Sequence, residues 1–220
     1  MPRLVVVSDT HNRHRDIAMP DGDVAVHCGD ASVSGTREEL EEFVAWFSSL
    51  SHRHKLMVGG NHDDWLEFHP ELAKDAGISF MWDSGVFAEG LSFYGSPYRT
   101  VSEERVRLPK THHRWSAFMI TEAWAAHAWN EIPMGLDVLV THQPPYGLLD
   151  SAGSKPWGSP ALRSVVERVR PKMHLFGHVH GAYGNIVVGS TTFINAAICD
   201  GDGGHEGAGE PSRQPVIIDL

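Results

Sequence analysis

A polar segment, Gly59-Gly60-Asn61-His62-Asp63-Asp64, directly follows the apolar run Leu56-Met57-Val58. Its glycines let the backbone turn sharply or approach a ligand closely. Behind them lie an amide oxygen, an imidazole and two carboxylates, which are groups that bind cations and transfer protons. A single segment of this kind is more typical of a polar turn. The same arrangement recurs at four other positions in the chain, however, and the recurrence favours a chemical site.

Each of five short apolar runs is followed at once by side chains that can bind a metal ion. Runs such as Leu4–Val7 are apolar without alternation, which is typical of strands buried on both faces. Ligands of open α/β sheets bind at the carboxyl ends of the strands, so we expect all five groups to meet there. Residues i and i+2 lie on one side of an extended chain, so each paired motif should direct two side chains to one place. The five groups are Asp9 and His11, then Asp30, then Asn61 and His62, then His142, then His178 and His180.

No cysteine is among these residues, and the ligand set consists of carboxylate, imidazole and amide groups. It holds more donors than one ion can use, which predicts two divalent transition-metal ions about 3.5–4 Å apart, bridged by a shared carboxylate. Asp30 is the expected bridge because it stands alone at the end of its strand. Such ligands suit Mn, Fe, Zn, Co or Ni, of which we favour manganese. Each motif alone also fits a turn or a structural histidine, and the metal interpretation depends on the five together.

Alternating strands and helices must position these groups. A strand at Val24–Val26, a helix and a strand at Lys55–Val58 form a predicted β-α-β unit with parallel strands. The helix begins at Thr36, which forms a predicted capping box with Glu39. A second helix is predicted after the pair Ser159-Pro160, which favours a first turn. The residues expected to be buried are Leu40, Phe43, Val44 and Phe47 on the first helix, and Leu162, Val165, Val166 and Val169 on the second.

The middle of the chain has a different pattern. Residues 77–99 are divided by glycines into short apolar runs, which predict an antiparallel meander. Residues 100–118 are charged and aromatic without a clear period, which predicts a long loop. A helix is predicted to begin near Thr121 and to end before Pro133. That helix is expected to bury Trp124, Ala125 and Ala128, and the predicted strands are Ile78–Trp82, Gly85–Ala88, Leu91–Tyr94, Ile186–Val188, Thr192–Asn195 and Val216–Ile218.

Length and composition disfavour several classes of protein. The 220 residues fit one α/β domain over residues 1–220. A formal net charge of −10 disfavours stable nucleic-acid binding. Two distant cysteines, Cys28 and Cys199, argue against a disulfide scaffold and favour the cytoplasm. The apolar runs are too short for a signal peptide or a membrane span, and the sequence leaves the oligomeric state open.

The motifs, taken in order along almost the whole chain, resemble those of the calcineurin-like metallophosphoesterase superfamily. The resemblance implies a four-layer α/β/β/α sandwich and two metal ions. It also implies that His62, with Asp63 behind it, is an acid near the leaving group and not a metal ligand. The ligands that the resemblance implies are Asp9, His11, Asp30 and His180 for one ion, and Asp30, Asn61, His142 and His178 for the other.

Residues beyond the ligand motifs indicate a branch of this superfamily. Asp30 is followed by Ala31–Gly35, which lacks the Asp-Arg-Gly turn of the phosphoprotein phosphatases. In contrast, Gly95–Tyr98, Thr141–Pro145 and Ile194–Ala196 resemble the small metallophosphoesterase-domain-containing group, which is associated with hydrolysis of nucleotide phosphodiesters. Some animal members of that group have glycine in place of the first histidine of Gly-His-x-His. The present chain keeps His178, which implies a complete second site.

The resemblance therefore implies a phosphodiesterase that acts on small nucleotide or cyclic-nucleotide-type esters. In this hypothesis, a hydroxide that bridges the two ions attacks phosphorus in line. His62, oriented by Asp63, then protonates the leaving oxygen. The alternatives are a phosphomonoesterase with the same metal centre and a nucleotide-binding regulatory module with little turnover.

Residues in or beside the predicted long loop are candidates for substrate contacts, because they could stack on a base or bind a phosphate. An exposed basic and aromatic loop that does not touch substrate is the alternative. Two histidines within predicted strands, His27 and His174, are expected in the core or behind the ligands. The candidate substrate residues are Tyr98, Arg99, His112 and His113, with Trp115 beside them.

Overall fold

Two β-sheets pack face to face in the computed structural model, which describes residues 1–107, 116–153, 155–201 and 209–220. The first sheet is parallel except for one edge strand, which pairs antiparallel with the first strand of the chain. The predicted parallel pairing across the first helix is confirmed. In spatial order the strands of this sheet are β15 (Val216–Asp219), β1 (Arg3–Val7), β2 (Val24–His27), β3 (His54–Met57) and β4 (Ser79–Phe80).

The second sheet has four parallel strands at its centre and one antiparallel strand at each edge. The carboxyl ends of its parallel strands therefore lie along one edge, where a ligand site is expected. In spatial order the strands of this sheet are β13 (Gly184–Val188), β14 (Thr191–Asn195), β12 (Met173–Phe176), β9 (Val138–Thr141), β6 (Leu91–Ser96) and β5 (Ser84–Ala88).

Helices cover the outer face of each sheet. In β2, Val24 and Val26 face the core between the sheets, whereas Ala25 faces the helices, and β9 alternates in the same way. Both faces are thus buried, which explains the unalternated apolar runs and confirms the four-layer α/β/β/α sandwich. The helices are α1 (Arg37–Ser49), α2 (Asp64–Phe68) and α3 (Glu71–Asp75) on the first sheet, α5 (Glu122–Asn130) and α6 (Pro160–Val169) on the second, and the short α4 (Glu103–Arg107) that precedes them.

Smaller elements lie in the loops around the carboxyl ends of the strands. The short strands β7 (Arg99–Thr100) and β8 (Met119–Ile120) pair in parallel, and β10 (Ser151–Ala152) and β11 (Lys155–Pro156) form a hairpin. Single 3-10 turns occupy His14–Asp16 and His180–Ala182. Within the described ranges, no helix has the length and apolar character needed to cross a bilayer.

Side-chain caps fix the start of the helices predicted after Thr36 and after Ser159. The Thr36 hydroxyl accepts the N–H of Glu39 at 3.3 Å, which is one half of the predicted capping box. The Glu39 carboxylate accepts the N–H of Ser34 at 2.8 Å instead of the N–H of Thr36. At the start of α6, the Ser159 hydroxyl accepts the N–H of Leu162 at 3.1 Å. The four predicted apolar positions of each helix are buried.

The prediction of an antiparallel meander over residues 77–99 is wrong for its first strand. β4 joins the first sheet, parallel to β3, and only β5 and β6 form an antiparallel hairpin. The reason is that Phe80 packs among the helices on the first sheet and Met81 lies between the sheets. The chain therefore crosses between sheets after β4.

The loop predicted for residues 100–118 and the buried face of α5 also need correction. The loop contains α4, and β7 and β8 begin and end it. On α5, Trp124 is 67% exposed, whereas Trp129 is fully buried. Trp129 can be buried because its indole N–H donates to the Ser96 hydroxyl at 2.9 Å.

Candidate metal centre

The strand ends of both sheets meet at one place. The N–H of Ser8, after β1, donates to the carbonyl of Ala196, after β14, at 2.9 Å. Within the first sheet, the N–H of Asp9 donates to the carbonyl of Gly29 at 2.9 Å. These backbone hydrogen bonds bring the loop after β1 against the loops of its own sheet and of the opposite sheet.

Four candidate ligands have left-handed backbone conformations. Their φ angles are 55° at Asp9, 41° at His11, 57° at Asp30 and 66° at His178. Residues other than glycine seldom adopt this conformation, and they do so most often at functional sites. The alternation argument for the paired motifs is therefore wrong, because the chain has already left the strand. Tight turns after each strand direct the side chains toward the centre.

Three groups of candidate ligands have donor atoms that lie within 4.8 Å of one another. Asp30 belongs to two of these groups, as expected of a shared carboxylate. His178 and His180 fall in different groups, although they are only two residues apart. The groups are Asp9, His11 and His180; His11, Asp30 and His62; and Asp30, His142 and His178.

Asp30 lies at the middle of the centre. Its Oδ2 atom is 3.3 Å from Nε2 of His142, 3.8 Å from Nε2 of His62 and 3.9 Å from Nε2 of His11. The amide oxygen of Asn61 is 3.2 Å from Nε2 of His142. Asn61 therefore lies beside the group formed by Asp30, His142 and His178.

Asp9 forms the other side of the centre. Its Oδ1 atom is 3.3 Å from Nε2 of His180 and 3.9 Å from Nε2 of His11. Its Oδ2 atom accepts the N–H of His178 at 2.9 Å. Nε2 of His11 and Nε2 of His180 are only 3.2 Å apart. Asp9 thus binds the Gly-His-x-His loop to the loop after β1.

Four imidazole rings are oriented by backbone carbonyl oxygens. A carbonyl oxygen only accepts, so Nδ1 of each ring carries a proton and donates. In the neutral ring, Nε2 then presents a lone pair to the centre. The pairs are Nδ1 of His11 with Ser32 at 2.9 Å, of His62 with Val33 at 2.8 Å, of His142 with Cys28 at 3.0 Å, and of His180 with Gly201.

This arrangement fits divalent cations. Lone pairs of several Nε2 atoms and two buried carboxylates converge, which is unfavourable unless a positive charge lies between them. The Oδ1 atom of Asp9 is buried and has no hydrogen-bond partner within the described chain. An Nδ1–H group that donates to a carbonyl, with Nε2 free, is the usual arrangement of a metal-binding histidine.

The ionisation of the ring nitrogens depends on their neighbours. Burial lowers the pKa of His11 to about 4, and burial together with the charge of Arg99 lowers that of His178. At His142 burial also disfavours the charged form, but the Asp30 carboxylate outweighs it and raises the pKa to about 9. Burial alone would raise the pKa of Asp30, yet His142 and His62 hold it well below its usual range. Below its own pKa, His142 carries a proton on each ring nitrogen, Nδ1 and Nε2. A cation at Asp30 would replace the proton on Nε2.

Asp63 does not orient His62, contrary to the prediction. Its Oδ2 atom accepts the backbone N–H groups of Asp30 at 3.0 Å and Gly60 at 2.9 Å. Its Oδ1 atom accepts the N–H of Ser32 at 3.1 Å. The carbonyl of Val33 is the group that binds Nδ1 of His62. Asp63 instead binds together the turns after β2 and β3. Burial, and to a smaller extent the charge of Asp30, raises the pKa of Asp63 to about 7.

Two glycines are required by close packing against the carboxylates. A Cβ atom at Gly60 would lie 2.2 Å from Oδ1 of Asp30. A Cβ atom at Gly177 would lie 2.1 Å from Oδ2 of Asp9. Any side chain at either position would displace a candidate ligand, which explains why glycine precedes Asn61 and His178.

The two histidines predicted behind the ligands are buried in the strands. Nε2 of His27 lies 3.1 Å from the Thr10 hydroxyl, and Nε2 of His174 lies 2.9 Å from the Thr141 hydroxyl. Burial lowers the pKa of both rings to about 3. Both rings are therefore neutral parts of the layer behind the centre.

Of the candidate substrate residues, two lie in the described chain. The Tyr98 hydroxyl accepts the indole N–H of Trp82 at 3.0 Å, and burial raises its pKa to about 12. Tyr98 is thus part of the packing beside β6. The charge of Arg99, after burial, lowers the pKa of His178. His112, His113 and Trp115 lie outside the described residues.

Asn195 contributes to the centre although the sequence indicated it only as part of a motif. Its Nδ2 donates to the carbonyls of Val179 at 2.9 Å and Leu149 at 3.2 Å, and its Oδ1 accepts the N–H of Ala197 at 3.0 Å. Val179 stands between the two histidines of Gly-His-x-His. A signal was present, because a polar amide ends the apolar strand β14.

Comparisons with known proteins agree with this geometry. A model of the family described as calcineurin-like phosphoesterase matches residues 2–182. The chain belongs to this family. Its members are hydrolases of phosphate esters that typically depend on two metal ions, and the resemblance drawn from the motifs is thereby confirmed.

Sequence alignments with individual relatives cover most of this calcineurin-like phosphoesterase. UPF0046 protein K07C11.7 of Caenorhabditis elegans is 36% identical over 215 residues, which cover 90% of the chain and 70% of that protein. Metallophosphoesterase domain-containing protein 1 of Homo sapiens is 32% identical over 246 residues, which cover 99% of the chain and 71% of that protein. Among solved structures, TT1561 of Thermus thermophilus shares the fold with a TM-score of 0.66 at 12% identity, covering 89% of each chain.

Proposed function

We propose that the protein is a two-metal phosphodiesterase that hydrolyses small nucleotide or cyclic-nucleotide-type esters. The observation that supports this best is the position of Asp30, whose Oδ2 atom lies 3.3 Å from Nε2 of His142 and 3.9 Å from Nε2 of His11, one histidine of each proposed ion site. A carboxylate shared between two ions is the usual core of a binuclear hydrolytic site. The residues that would hold one ion are Asp9, His11, Asp30 and His180, and those that would hold the other are Asp30, Asn61, His142 and His178.

The metal pair accounts for how an acidic protein can act on an anion. Two divalent cations held by these ligands would neutralise the phosphate oxygens and lower the pKa of a water nucleophile. The chain itself fixes the ring planes through the Nδ1–H bonds and excludes bulk water, because Asp9 and His142 are fully buried. We favour manganese among the ions that suit these ligands.

His62 is the proposed general acid. The carbonyl of Val33 fixes its Nδ1–H, so Nε2 faces the centre and can hold or deliver a proton at the leaving oxygen. His62 is 5% exposed and Asp30 is 2% exposed, so this proton is shielded from bulk water. Asp63 is proposed as a positioning residue, because it binds the N–H groups of Asp30 and Gly60 and thereby places both the shared carboxylate and the turn before His62.

A substrate panel tests the reaction. We expect metal-dependent hydrolysis of bis(p-nitrophenyl) phosphate and of 2′,3′- or 3′,5′-cyclic nucleotides to exceed hydrolysis of p-nitrophenyl phosphate. Activity should disappear on chelation and return with manganese. Faster hydrolysis of the monoester would favour a phosphomonoesterase. Tight nucleotide binding without hydrolysis of any ester would favour a regulatory module.

Two further features indicate the type of substrate and the compartment. The net charge of −10 makes a small phosphoester a more suitable substrate than a nucleic acid. Cys28 and Cys199 are free and buried, and burial raises the pKa of both thiols. Free thiols persist in a reducing compartment, so the proposed location is the cytoplasm.

A further inference from the structure

Two arginines, Arg99 and Arg105, differ from the other arginines that the structure describes. The remaining arginines that the structure describes each have a guanidinium hydrogen bond or ion pair. Arg15 binds Glu42, for example, and Arg168 binds backbone carbonyls after α5. Arg99 and Arg105 make no such contact with any residue in the described part of the chain. Both are partly buried cations, and neither pairs with a carboxylate of the described residues.

The position of Arg99 is fixed on one side by the loop that carries Asn61. Its N–H donates to the carbonyl of Phe118 at 3.0 Å. The residue before Phe118, Ala117, donates its N–H to the carbonyl of Asn61 at 3.3 Å. β7 therefore lies next to the turn that follows β3.

On the other side, the same strand is bound to the loop after β9. The N–H and the hydroxyl of Thr100 both donate to Oε1 of Gln143, at 2.7 Å and 3.1 Å. Gln143 directly follows His142. Arg99 is thus placed between the Asn61 loop and the His142 loop, at the edge of the group formed by Asp30, His142 and His178.

Arg105 lies on α4, the helix that follows β7. Its Nε atom is buried and has no hydrogen-bond partner within the described ranges. The residues one turn before it, Val101 and Ser102, are not acidic, whereas Arg107 on the same helix pairs with Glu103 at 3.1 Å. A buried donor without a partner is unfavourable, and a ligand that accepts from it would remove this cost.

The charges of the two guanidinium groups act on each other and on the centre. Burial lowers the pKa of Arg99, and the charge of Arg105 lowers it further, while Asp30 raises it. Arg99 in turn lowers the pKa of His178. Two like charges that have no carboxylate partner among the described residues repel each other. The chain has 28 acidic residues against 18 basic ones, so carboxylates are available to pair with most of its cations. An anionic ligand between them would be favourable.

We propose that Arg99 and Arg105 form a binding site for a second anionic group of the substrate, beside Asp30, His142 and His178. The substrate class is then a phosphoester that carries a further phosphate, such as a nucleoside bisphosphate or diphosphate ester. This inference rests on the proposed function for the identity of the scissile bond. The site itself is a binding property of the two guanidinium groups and does not require turnover.

Equilibrium binding tests the site without catalysis. The probes are adenosine 5′-monophosphate, adenosine 5′-diphosphate and adenosine 3′,5′-bisphosphate, titrated calorimetrically into the manganese-loaded protein. We expect at least one of the two doubly phosphorylated probes to bind about tenfold more tightly than the monophosphate, because a second phosphate gains charge-assisted hydrogen bonds. This preference should weaken as salt rises.

Three variants assign the preference to the two arginines. In R99Q and in R105Q, the ratio of the two dissociation constants should fall toward one. R107Q is the matched control, because Arg107 lies on the same helix, pairs with Glu103 and should keep the full preference. Circular dichroism melts of all three variants confirm folding. The inference is overturned if neither doubly phosphorylated probe is preferred by the natural protein, or if R99Q and R105Q keep the preference, or if R107Q loses it.

Kinetics separate this inference from the proposed function. Thymidine 5′-(p-nitrophenyl phosphate) and the same ester with a 3′-phosphate have the same leaving group. In the natural protein the 3′-phosphate should lower KM about tenfold at similar kcat, and in R99Q and R105Q that difference should disappear. Absence of hydrolysis for both esters would contradict the proposed function and leave the binding result valid. Equal hydrolysis of both, with no preference in binding, would contradict only the anion site.

Discussion

The two halves of the metal centre differ in how they are closed. The half formed by Asp9, His11 and His180, here the closed half, is at most 5% exposed at each residue, and the carbonyl of Gly201 holds His180. The half formed by Asp30, His142 and His178, here the open half, includes the partly exposed His178, and the charge of Arg99 acts on it. Asp30 is shared, since it also lies 3.9 Å from His11.

This difference indicates a division of roles. In the closed half, all three side chains are buried. In the open half, Arg99 lies beside the candidate ligands, and neither Arg99 nor Arg105 has a guanidinium partner within the described ranges. The closed half is therefore arranged to hold an ion, and the open half is arranged to bring an ion and an anionic substrate together. The following predictions test that division.

The largest effect is expected for the shared carboxylate. In D30N both halves lose a ligand charge, so we expect metal content to fall from two ions toward none and hydrolysis to fall about 10³-fold or more. In G177A the new methyl group would strike Asp9, so the closed half should lose its ion first. Metal analysis of the purified variants and rates with bis(p-nitrophenyl) phosphate measure both. Loss of only one ion in D30N would contradict a shared role for Asp30.

The next effect concerns His62, which faces the centre from the turn after β3. In H62A we expect both ions to remain bound and hydrolysis of esters with alkoxide leaving groups to fall about 10²–10⁴-fold, because general-acid help is lost. Esters of p-nitrophenol should lose much less, since that leaving group needs no proton. Equal losses on both kinds of ester, or loss of an ion, would show that His62 is a ligand.

A smaller effect is expected for Asn195, which holds the loop that supplies one histidine to each half. In N195L the hydrogen bonds to Val179 and Leu149 are lost, so His178 and His180 should both be less well positioned. We expect metal affinity to fall about 10–100-fold, as is usual for partners behind the ligands. Calorimetric titration of the metal-free variant measures this, with N185L on β13 as an exposed asparagine control. Unchanged affinity would show that the loop is positioned by other contacts.

The sequence predicted which side chains come together at the strand ends, because they follow short apolar strands in a parallel arrangement. Its failures depend on long-range contacts. Asp63 stands next to His62 in the chain, but its carboxylate binds backbone N–H groups of the turn after β2, which no spacing reveals. β4 is a two-residue strand whose sheet is decided by the packing of Phe80. Arg105 could have been noticed, since it lacks an acidic neighbour one turn before it, but its closeness to Arg99 is a tertiary feature.

The smallest effect concerns pH in the metal-free protein. The pKa of His142 in the open half is raised to about 9, above its usual 6.5, whereas that of His11 in the closed half is lowered to about 4. Stability from the pair His142–Asp30 is therefore fully present below pH 6.5 and is lost as pH rises through about 9. Thermal melts of the metal-free protein should show Tm falling over this range, and less so in H142Q.

The same proton affects metal binding. A cation in the open half must displace it, so the apparent affinity should weaken about tenfold for each pH unit below about 9. The pKa of His180 in the closed half is also raised, by Asp9 against the effect of burial, so a proton competes there too. Metal titrations at several pH values measure both effects. An affinity that does not change with pH would contradict a protonated His142.

The most direct test of the central claim is anomalous diffraction from crystals of the protein grown with manganese. The predicted result is two peaks about 3.5–4 Å apart, with Asp30 between them, one beside Asp9, His11 and His180 and the other beside Asn61, His142 and His178. A single peak, or two peaks that do not share Asp30, would contradict a two-metal centre built on that carboxylate.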